Sequence, residues 1–161
     1  ISNCANNYGP YQFPEKLIPL FISNLLEGKK VPLYKNSQNR REWIHVVDHC
    51  KAVDLVLDKG KIGETYNIGT GVEKSIEEIT TIILKNLNQP DSMKEYVSDR
   101  PSHDRRYLLD SSKIALELDW KPEIDFEEGI QDTIEWYKGN PHWWEPLKQK
   151  RMVDETKWKN T

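Results

Sequence analysis

The stretch ETYNIGTGVEKSIEEITTIILKNL, residues 64–87, contains three kinds of local structure in succession. Glu64–Ile68 is short and rich in strand-forming residues, and it predicts a β-strand. Gly69-Thr70-Gly71 bends the chain. Ser75, with Glu78 three residues later, forms a capping box before an apolar run of helical period. Strand, bend and helix in this order favour a fold that mixes strands with helices.

The rest of the chain continues this mixture without a regular alternation. Helices are predicted where apolar residues recur at helical spacing behind a proline or a capping residue: from Pro14 to Gly28, from Asp48 to Leu57, over 113–118, and over 129–137 after a capping box at Asp125 and Glu128. Short strands are predicted over 31–34, 42–47, 96–98 and 107–109. The sequence therefore predicts an α/β or α+β lobe over residues 1–144, which begins at a strand end, and a polar tail without a period over residues 145–161.

Composition and charge limit the kinds of partner. The 161 residues carry a formal net charge of -3 at pH 7, whereas proteins that bind nucleic acid in general normally have a basic surplus. No apolar run approaches the roughly 18 residues that cross a bilayer, and the N-terminus does not resemble a signal peptide. Cys4 and Cys50 lack the spacing of metal ligands or of a disulfide framework. We therefore expect a cytoplasmic protein with no metal, no nucleic acid partner and no membrane partner.

Six separated motifs, taken together and in order, carry a resemblance to a known family. The motifs are NNYGP (6–10), PEKLIP (14–19), VPLY (31–34), REWIHVVD (41–48), GETYNIG (63–69) and DRPSHDRRY (99–107). They resemble the C-terminal part of the extended short-chain dehydrogenases/reductases that act on nucleotide sugars. Within these, the segments 6–20 and 99–107 are most similar to the dTDP-glucose 4,6-dehydratases.

The resemblance implies an α/β fold, namely the substrate-binding lobe of a Rossmann-like NAD(P)-binding fold whose N-terminal dinucleotide-binding part is missing. In that family the C4 hydroxyl of dTDP-glucose is oxidised with NAD, water is lost across C5 and C6, and the hydride returns to C6. The chain has no Tyr-x-x-x-Lys, and Gly69-Thr70-Gly71 lacks the third glycine of a phosphate-binding loop. We therefore expect no catalytic residue here, an inactive chain when alone, NAD held mainly by the missing part, and a homodimer when intact.

Two other functions stay open at this point. Another nucleotide-sugar epimerase, dehydratase or decarboxylase of the same superfamily shares several of the motifs, and the sequence does not separate thymidine from uridine. A module that binds nucleotides without catalysis belongs to a different class. Assays with dTDP-glucose and with UDP-sugars distinguish the enzymes from each other.

The expected ligand, a nucleoside diphosphate, carries about two negative charges, and arginine presents a planar fork of donors that matches phosphate oxygens. By resemblance, Arg41 and Arg100 clamp the pyrophosphate with His103 nearby, and Asn6 contacts both the sugar nucleotide and the cofactor. Pro32 and Tyr34 offer an apolar surface for the base. The full set of predicted substrate-binding residues is Asn6, Lys16, Leu17, Pro32, Tyr34, Arg41, Ser75, Arg100 and His103.

Each of these residues also has a purely structural interpretation. Arg41 fits an exposed strand-end arginine, Tyr34 fits ordinary strand packing, and Asn6 fits a turn. Ser75 is already explained as a helix cap, which leaves its ligand role doubtful.

Three residues outside this set also need an interpretation. Arg105 and Arg106 are as well explained by pairing with Asp99 or Asp104. Glu42 stands where the family more often has Asp, a change expected to matter little.

Overall fold

The computed structural model describes residues 1–35, 39–98 and 106–158, with residues 151–158 described by their backbone alone. The strands are β1 (Ser2–Cys4), β2 (Asn6–Tyr8), β3 (Val31–Tyr34), β4 (Arg40–His45), β5 (Tyr66–Ile68), β6 (Glu73–Ser75), β7 (Lys94–Val97) and β8 (Arg106–Tyr107). The helices are α1 (Leu17–Leu26), α2 (Val46–Lys59), α3 (Ile76–Asn86), α4 (Ser112–Leu118), α5 (Phe126–Gly139) and α6 (Pro141–Trp158). The predicted mixture of strands and helices is confirmed.

The strands form three small sheets, and β4 is central to the largest of them. β4 pairs with β2 and β8 in parallel and with β6 in antiparallel orientation. The other two sheets are the parallel pairs β1–β5 and β3–β7. Arg41 of β4 lies opposite Lys74 of β6 and opposite Tyr107 of β8. Its backbone is therefore fixed from both neighbouring strands.

Two apolar clusters hold β4 between them. One cluster lies among α1, α3 and α5 and includes Trp43, Ile83 and Tyr137. The other includes Ile44 and Ile114. Successive residues of a strand point to opposite faces, so Trp43 and Ile44 anchor β4 in different clusters. Each fully buried large apolar side chain contributes about 1.5–3 kcal/mol, which makes β4 a firm support for the residues before it.

Three predicted helix starts differ from the structure by three residues. The helix predicted over 129–137 begins at Phe126, directly after its cap Asp125. For the other two the reasons are as follows. The first helix begins at Leu17 and not at Pro14. This start leaves Pro19 in the first turn, where no intrahelical N–H bond is lost. Helix α2 is capped by His45, whose Nδ1 accepts from the Val47 N–H, and not by Asp48. Asp48 is instead buried in the first turn and accepts bonds from the backbone of the segment before α5.

The C-terminal segment is helical where the sequence predicts a polar tail. Helix α6 spans Pro141–Trp158 and crosses the predicted boundary at residue 144. Lys148 fixes this helix to α1, because its Nζ donates to Ser23, Asn24 and Glu27 at 3.0, 2.7 and 2.9 Å. A polar anchor of this kind produces no apolar periodicity, so the sequence pattern did not reveal it.

In the described part of the chain, no helix has the combination of length and apolar character that a membrane crossing requires.

Candidate functional site

Two neighbouring clefts meet at Arg41, Leu17 and Ile76, which line both of them. We call the first the β3 cleft; it has a volume of about 380 Å³ and is lined by Glu15, Leu17, Leu20, Phe21, Pro32, Tyr34, Asn39, Arg41, Ile76 and Val97. We call the second the β2 cleft; it has a volume of about 450 Å³ and is lined by Ala5, Asn6, Asn7, Gln12, Lys16, Leu17, Ile18, Arg41, Trp43 and Ile76.

The β3 cleft is mostly apolar because of the alternation in β3. Val31 and Leu33 are fully buried in the core, so Pro32 and Tyr34 face the other way and line the cleft. Proline donates no backbone hydrogen bond and is confined to sheet edges, which suits a strand whose described partner is β7 alone. The result is an aromatic and aliphatic wall of the kind on which a planar ring can pack.

The β2 cleft has more polar side chains on its wall than the β3 cleft has. Asn6 and Lys16 lie on it, Lys16 just before the first helical residue of α1, where free backbone N–H groups favour an anion. The Lys16 ammonium contacts the Glu15 carboxylate at 3.1 Å. Gln12 is held by Asn7, whose carbonyl accepts from its Nε2 at 2.8 Å, and by the Tyr137 hydroxyl, which donates to its backbone carbonyl.

Two buried polar atoms beside the β2 cleft have no hydrogen-bond partner among the described residues. They are Oε1 of Gln12 and Nε1 of Trp43. Buried polar groups are nearly always paired, so these atoms favour a polar ligand or solvent beside them. Trp43 lines the third cleft described below as well, so Gln12 is the one of the two that points to the β2 cleft alone. Neither residue was predicted as a ligand, although both lie in segments that carry the resemblance, because nothing in the sequence shows that these atoms are buried without a partner.

Arg41 and Arg40 are neighbours with different surroundings. The Arg40 guanidinium contacts the Glu78 carboxylate at 3.1 Å and donates to the Glu73 carbonyl at 3.0 Å. The Arg41 guanidinium donates to the Arg40 carbonyl at 2.9 Å and, within the described ranges, forms no ion pair with a carboxylate. Arg41 thus presents its positive charge to the two clefts, whereas the charge of Arg40 is balanced by the Glu78 carboxylate.

The clefts bring together Asn6, Lys16, Leu17, Pro32, Tyr34 and Arg41 from the predicted set. Ser75 does not line either cleft; its hydroxyl accepts from the Glu78 N–H at 3.1 Å while Glu78 accepts from the Ser75 N–H, which completes the predicted capping box. Arg100 and His103 lie outside the described residues.

Arg106 makes a different ion pair from either one considered from the sequence. Its Nε and Nη2 donate to the two carboxylate oxygens of Glu73 at 2.8 and 2.7 Å. This bidentate pair lowers the pKa of Glu73 below its ordinary value. Arg106 therefore secures β8 to β6, while Asp99, Asp104 and Arg105 lie outside the described residues.

A third cleft has a different electrostatic character. It has a volume of about 260 Å³ and is lined by Tyr8, Trp43, His45, Thr70, Val72, Pro122, Glu123, Ile124, Asp125 and Phe126. Burial, and then the charges of Asp125, Asp48 and Asp132, raise the pKa of the Tyr8 hydroxyl above its ordinary value. An environment that disfavours the tyrosinate disfavours other anions as well, so this cleft is poorly suited to a phosphate.

A family model described as GDP-mannose 4,6 dehydratase matches residues 1–133. The dTDP-glucose 4,6-dehydratase of Streptomyces niveus is 51% identical over 148 residues, which cover 92% of this chain and 44% of that relative. The chain thus spans less than half the length of the curated relatives that it matches. This similarity confirms the resemblance inferred from the motifs.

Solved structures agree with this similarity. The dTDP-glucose 4,6-dehydratase of Bacillus anthracis, solved in complex with NAD, has a TM-score of 0.87 and 51% identity, covering 91% of this chain and 46% of that chain. The UDP-glucose 4-epimerase of Thermotoga maritima, solved with UDP-glucose, has a TM-score of 0.81 and 28% identity, covering 86% and 45%. The predicted fold is confirmed, and the sequence is more similar to the dehydratase than to this epimerase.

Proposed function

Since the chain belongs to the GDP-mannose 4,6 dehydratase family, we propose that it is the nucleotide-sugar-binding part of a dTDP-glucose 4,6-dehydratase. The family description names GDP-mannose, but relatives of about half-identical sequence are named dTDP-glucose 4,6-dehydratases. The overall reaction removes one water from the sugar and yields dTDP-4-keto-6-deoxyglucose.

One observation carries the proposal, namely the position of Arg41 where a cleft with an aromatic and aliphatic wall meets a cleft that has more polar side chains. A nucleotide sugar has the same order of parts: a flat base, a charged diphosphate and a hydroxylated sugar. We assign the base to Pro32 and Tyr34, the diphosphate to Arg41, and the more polar end of the ligand to Asn6 and Lys16. Arg41 suits the diphosphate because a guanidinium bonds two phosphate oxygens at once.

We further propose that Arg100 and His103 reach the diphosphate, and that Leu17 lies beside the nucleotide. Both expectations rest on the resemblance, and Leu17 is also supported by its position on both clefts. Ser75 has the weakest support among the predicted ligands, since its hydroxyl already serves helix α3.

NAD, which the Bacillus anthracis relative binds, supplies hydride transfer when it is bound. Asn6 is the residue of this chain that we propose to contact the cofactor. A single half-buried amide does not form a dinucleotide site. We therefore propose that the cofactor is held mainly by a dinucleotide-binding part outside this chain. The residues of this chain bind and orient the nucleotide sugar, and the chain alone is expected to be inactive.

The assembled enzyme is proposed to be a cytoplasmic homodimer. The homodimer rests on the family resemblance, and the cytoplasmic location rests on the composition of the sequence. The net charge of -3 agrees with a small anionic substrate that is bound by local arginines and not with a nucleic acid.

The test is a comparison of substrates with the full-length protein that contains this chain. With NAD present, we expect dTDP-glucose to be converted to a 4-keto-6-deoxy sugar, detected by its keto group and by the loss of 18 mass units, whereas GDP-mannose and UDP-glucose react much more slowly. Faster conversion of GDP-mannose, or epimerisation of UDP-glucose without loss of water, would contradict the proposal.

A further inference from the structure

A buried carboxylate lies directly behind the candidate site. Glu42 follows Arg41 on β4, and its side chain points to the opposite face of the strand. It is fully buried. Its Oε1 accepts from the Gly71 N–H at 2.7 Å, and its Oε2 accepts from the Leu109 N–H at 2.9 Å. Both carboxylate oxygens are therefore bonded to backbone N–H groups of segments remote in sequence.

The Gly69-Thr70-Gly71 bend is shaped to receive this carboxylate. A Cβ atom on Gly69 would overlap the Glu42 carboxylate, so glycine is required there. Gly71 has a φ of 74°, a backbone conformation that glycine adopts without strain and that directs its N–H to Glu42. The bend does not have the sequence pattern of a phosphate-binding loop. What it binds is the Glu42 side chain of the same protein.

The second bond of Glu42 fixes the chain just after β8. Leu109 lies two residues beyond Tyr107, which pairs with Arg41. β8 in turn follows directly on the DRPSHDR segment that carries two of the predicted ligands. Hydrogen bonds to a charged acceptor are stronger than neutral ones, so one buried carboxylate joins β4, the glycine bend and the chain that leads away from the basic segment.

We propose that Glu42 is a positioning residue for nucleotide binding: its carboxylate holds the chain at Leu109, and with it β8, against β4 and thereby fixes Arg41. The inference rests on the proposed function. Glu42 itself touches no substrate, because it is fully buried on the other face of β4. Its effect is exerted through the backbone of its neighbours.

The Glu42→Gln variant tests this role. Glutamine has the same shape, but its NH₂ group faces one of the two backbone donors, so one bond is replaced by a contact between two donors. We expect the KM for dTDP-glucose to rise about three- to tenfold, because a displaced Arg41 binds the diphosphate less well, with kcat reduced by less than about threefold. We also expect faster hydrogen exchange at the Leu109 amide.

Thr70→Val is the matched control. Thr70 joins the same bend to β4, since its Oγ1 donates to the Trp43 carbonyl at 2.8 Å and accepts from the Val72 N–H at 3.0 Å. Valine keeps the shape, removes both bonds and leaves Glu42 untouched. We expect this variant to lose stability with no change in KM or in exchange at Leu109.

The KM values of the two variants decide whether Glu42 has a positioning role. A KM that stays unchanged in Glu42→Gln, whether or not Leu109 exchanges faster, or a KM that rises equally in Thr70→Val, overturns the positioning role. If Glu42→Gln does not fold, Glu42→Asp replaces it. The sequence alone suggested that this change matters little, but the two bonds of Glu42 revise that expectation, because the shorter side chain reaches only one of the two amides. An unchanged KM is equally decisive. If the unaltered protein does not bind dTDP, the proposed function fails first and takes this inference with it.

Discussion

At the scale of single residues, Arg41 and Arg40 form a natural pair for comparison, because they are adjacent on β4 and differ in their contacts. Arg41→Ala removes the charge that lies between the two clefts, and we expect the KM for dTDP-glucose to rise about 10- to 100-fold. Arg40→Ala breaks a half-exposed pair with Glu78 and is expected to change the KM by less than about threefold. Steady-state kinetics of both variants measure the difference, and equal effects would contradict the assignment of Arg41.

The fold brings several of the predicted site residues to adjoining clefts, and the sequence did not point to two further residues for a physical reason. Pro32, Tyr34 and Arg41 belong to ordered motifs, and the structure brings them to adjoining clefts. Gln12 and Glu42 were not identified, because their importance arises from burial and from partners that are remote along the chain. Neither property is visible in local spacing.

At the scale of elements, Ser75 distinguishes a structural role from a ligand role. Ser75→Ala removes the N-cap of α3, so we expect the free energy of unfolding to fall by about 1 kcal/mol and the KM to stay unchanged. Denaturant unfolding and steady-state kinetics measure the two effects. A raised KM without loss of stability would favour the ligand role instead.

The N-terminus of α2 gives a pH dependence. Burial lowers the pKa of His45 below its ordinary value of 6.5, although Asp48 and Asp132 oppose the effect. The unfolded state then binds more protons than the folded state below about pH 6.5, so stability falls as the pH falls from 7 to 5. Protonation also removes the Nδ1 acceptor that caps the helix.

His45→Asn keeps a capping acceptor and removes the titration. We expect its urea unfolding midpoint to vary less between pH 7 and pH 5 than that of the unaltered protein. Burial also lowers the pKa of His49, so some dependence is expected to stay. An identical pH profile in both proteins would show that His45 does not contribute.

The ends of helices and strands were predictable where residues close in sequence determine them. They were missed where contacts between distant segments determine them. The capping box of α3 lies within four residues of sequence, and both the cap and the strand VPLY are found as predicted. Helix α6 has almost no apolar periodicity, and its contacts with α1 come through Lys148. Such a polar contact between distant segments leaves no periodic pattern.

At the scale of the whole molecule, the proposed function requires that the two clefts form one binding site for a nucleotide. Their walls come from β2, β3, β4 and α1, which the fold assembles around Arg41. The sequence predicted the family and proposed candidate residues, but the meeting of the clefts at Arg41 is a property of the tertiary structure. The acidic third cleft is a control on the same molecule, because we expect no nucleotide to bind there.

The most direct test is hydrogen exchange of the full-length protein with and without dTDP, read peptide by peptide with mass spectrometry. The account predicts protection of peptides that cover residues 5–20 and 31–43, which carry most of the walls of the β2 and β3 clefts. Peptides over residues 120–128, beside the third cleft, are expected to exchange at the same rate in both states. Protection confined to residues 120–128, or no protection at saturating dTDP, would contradict the central claim.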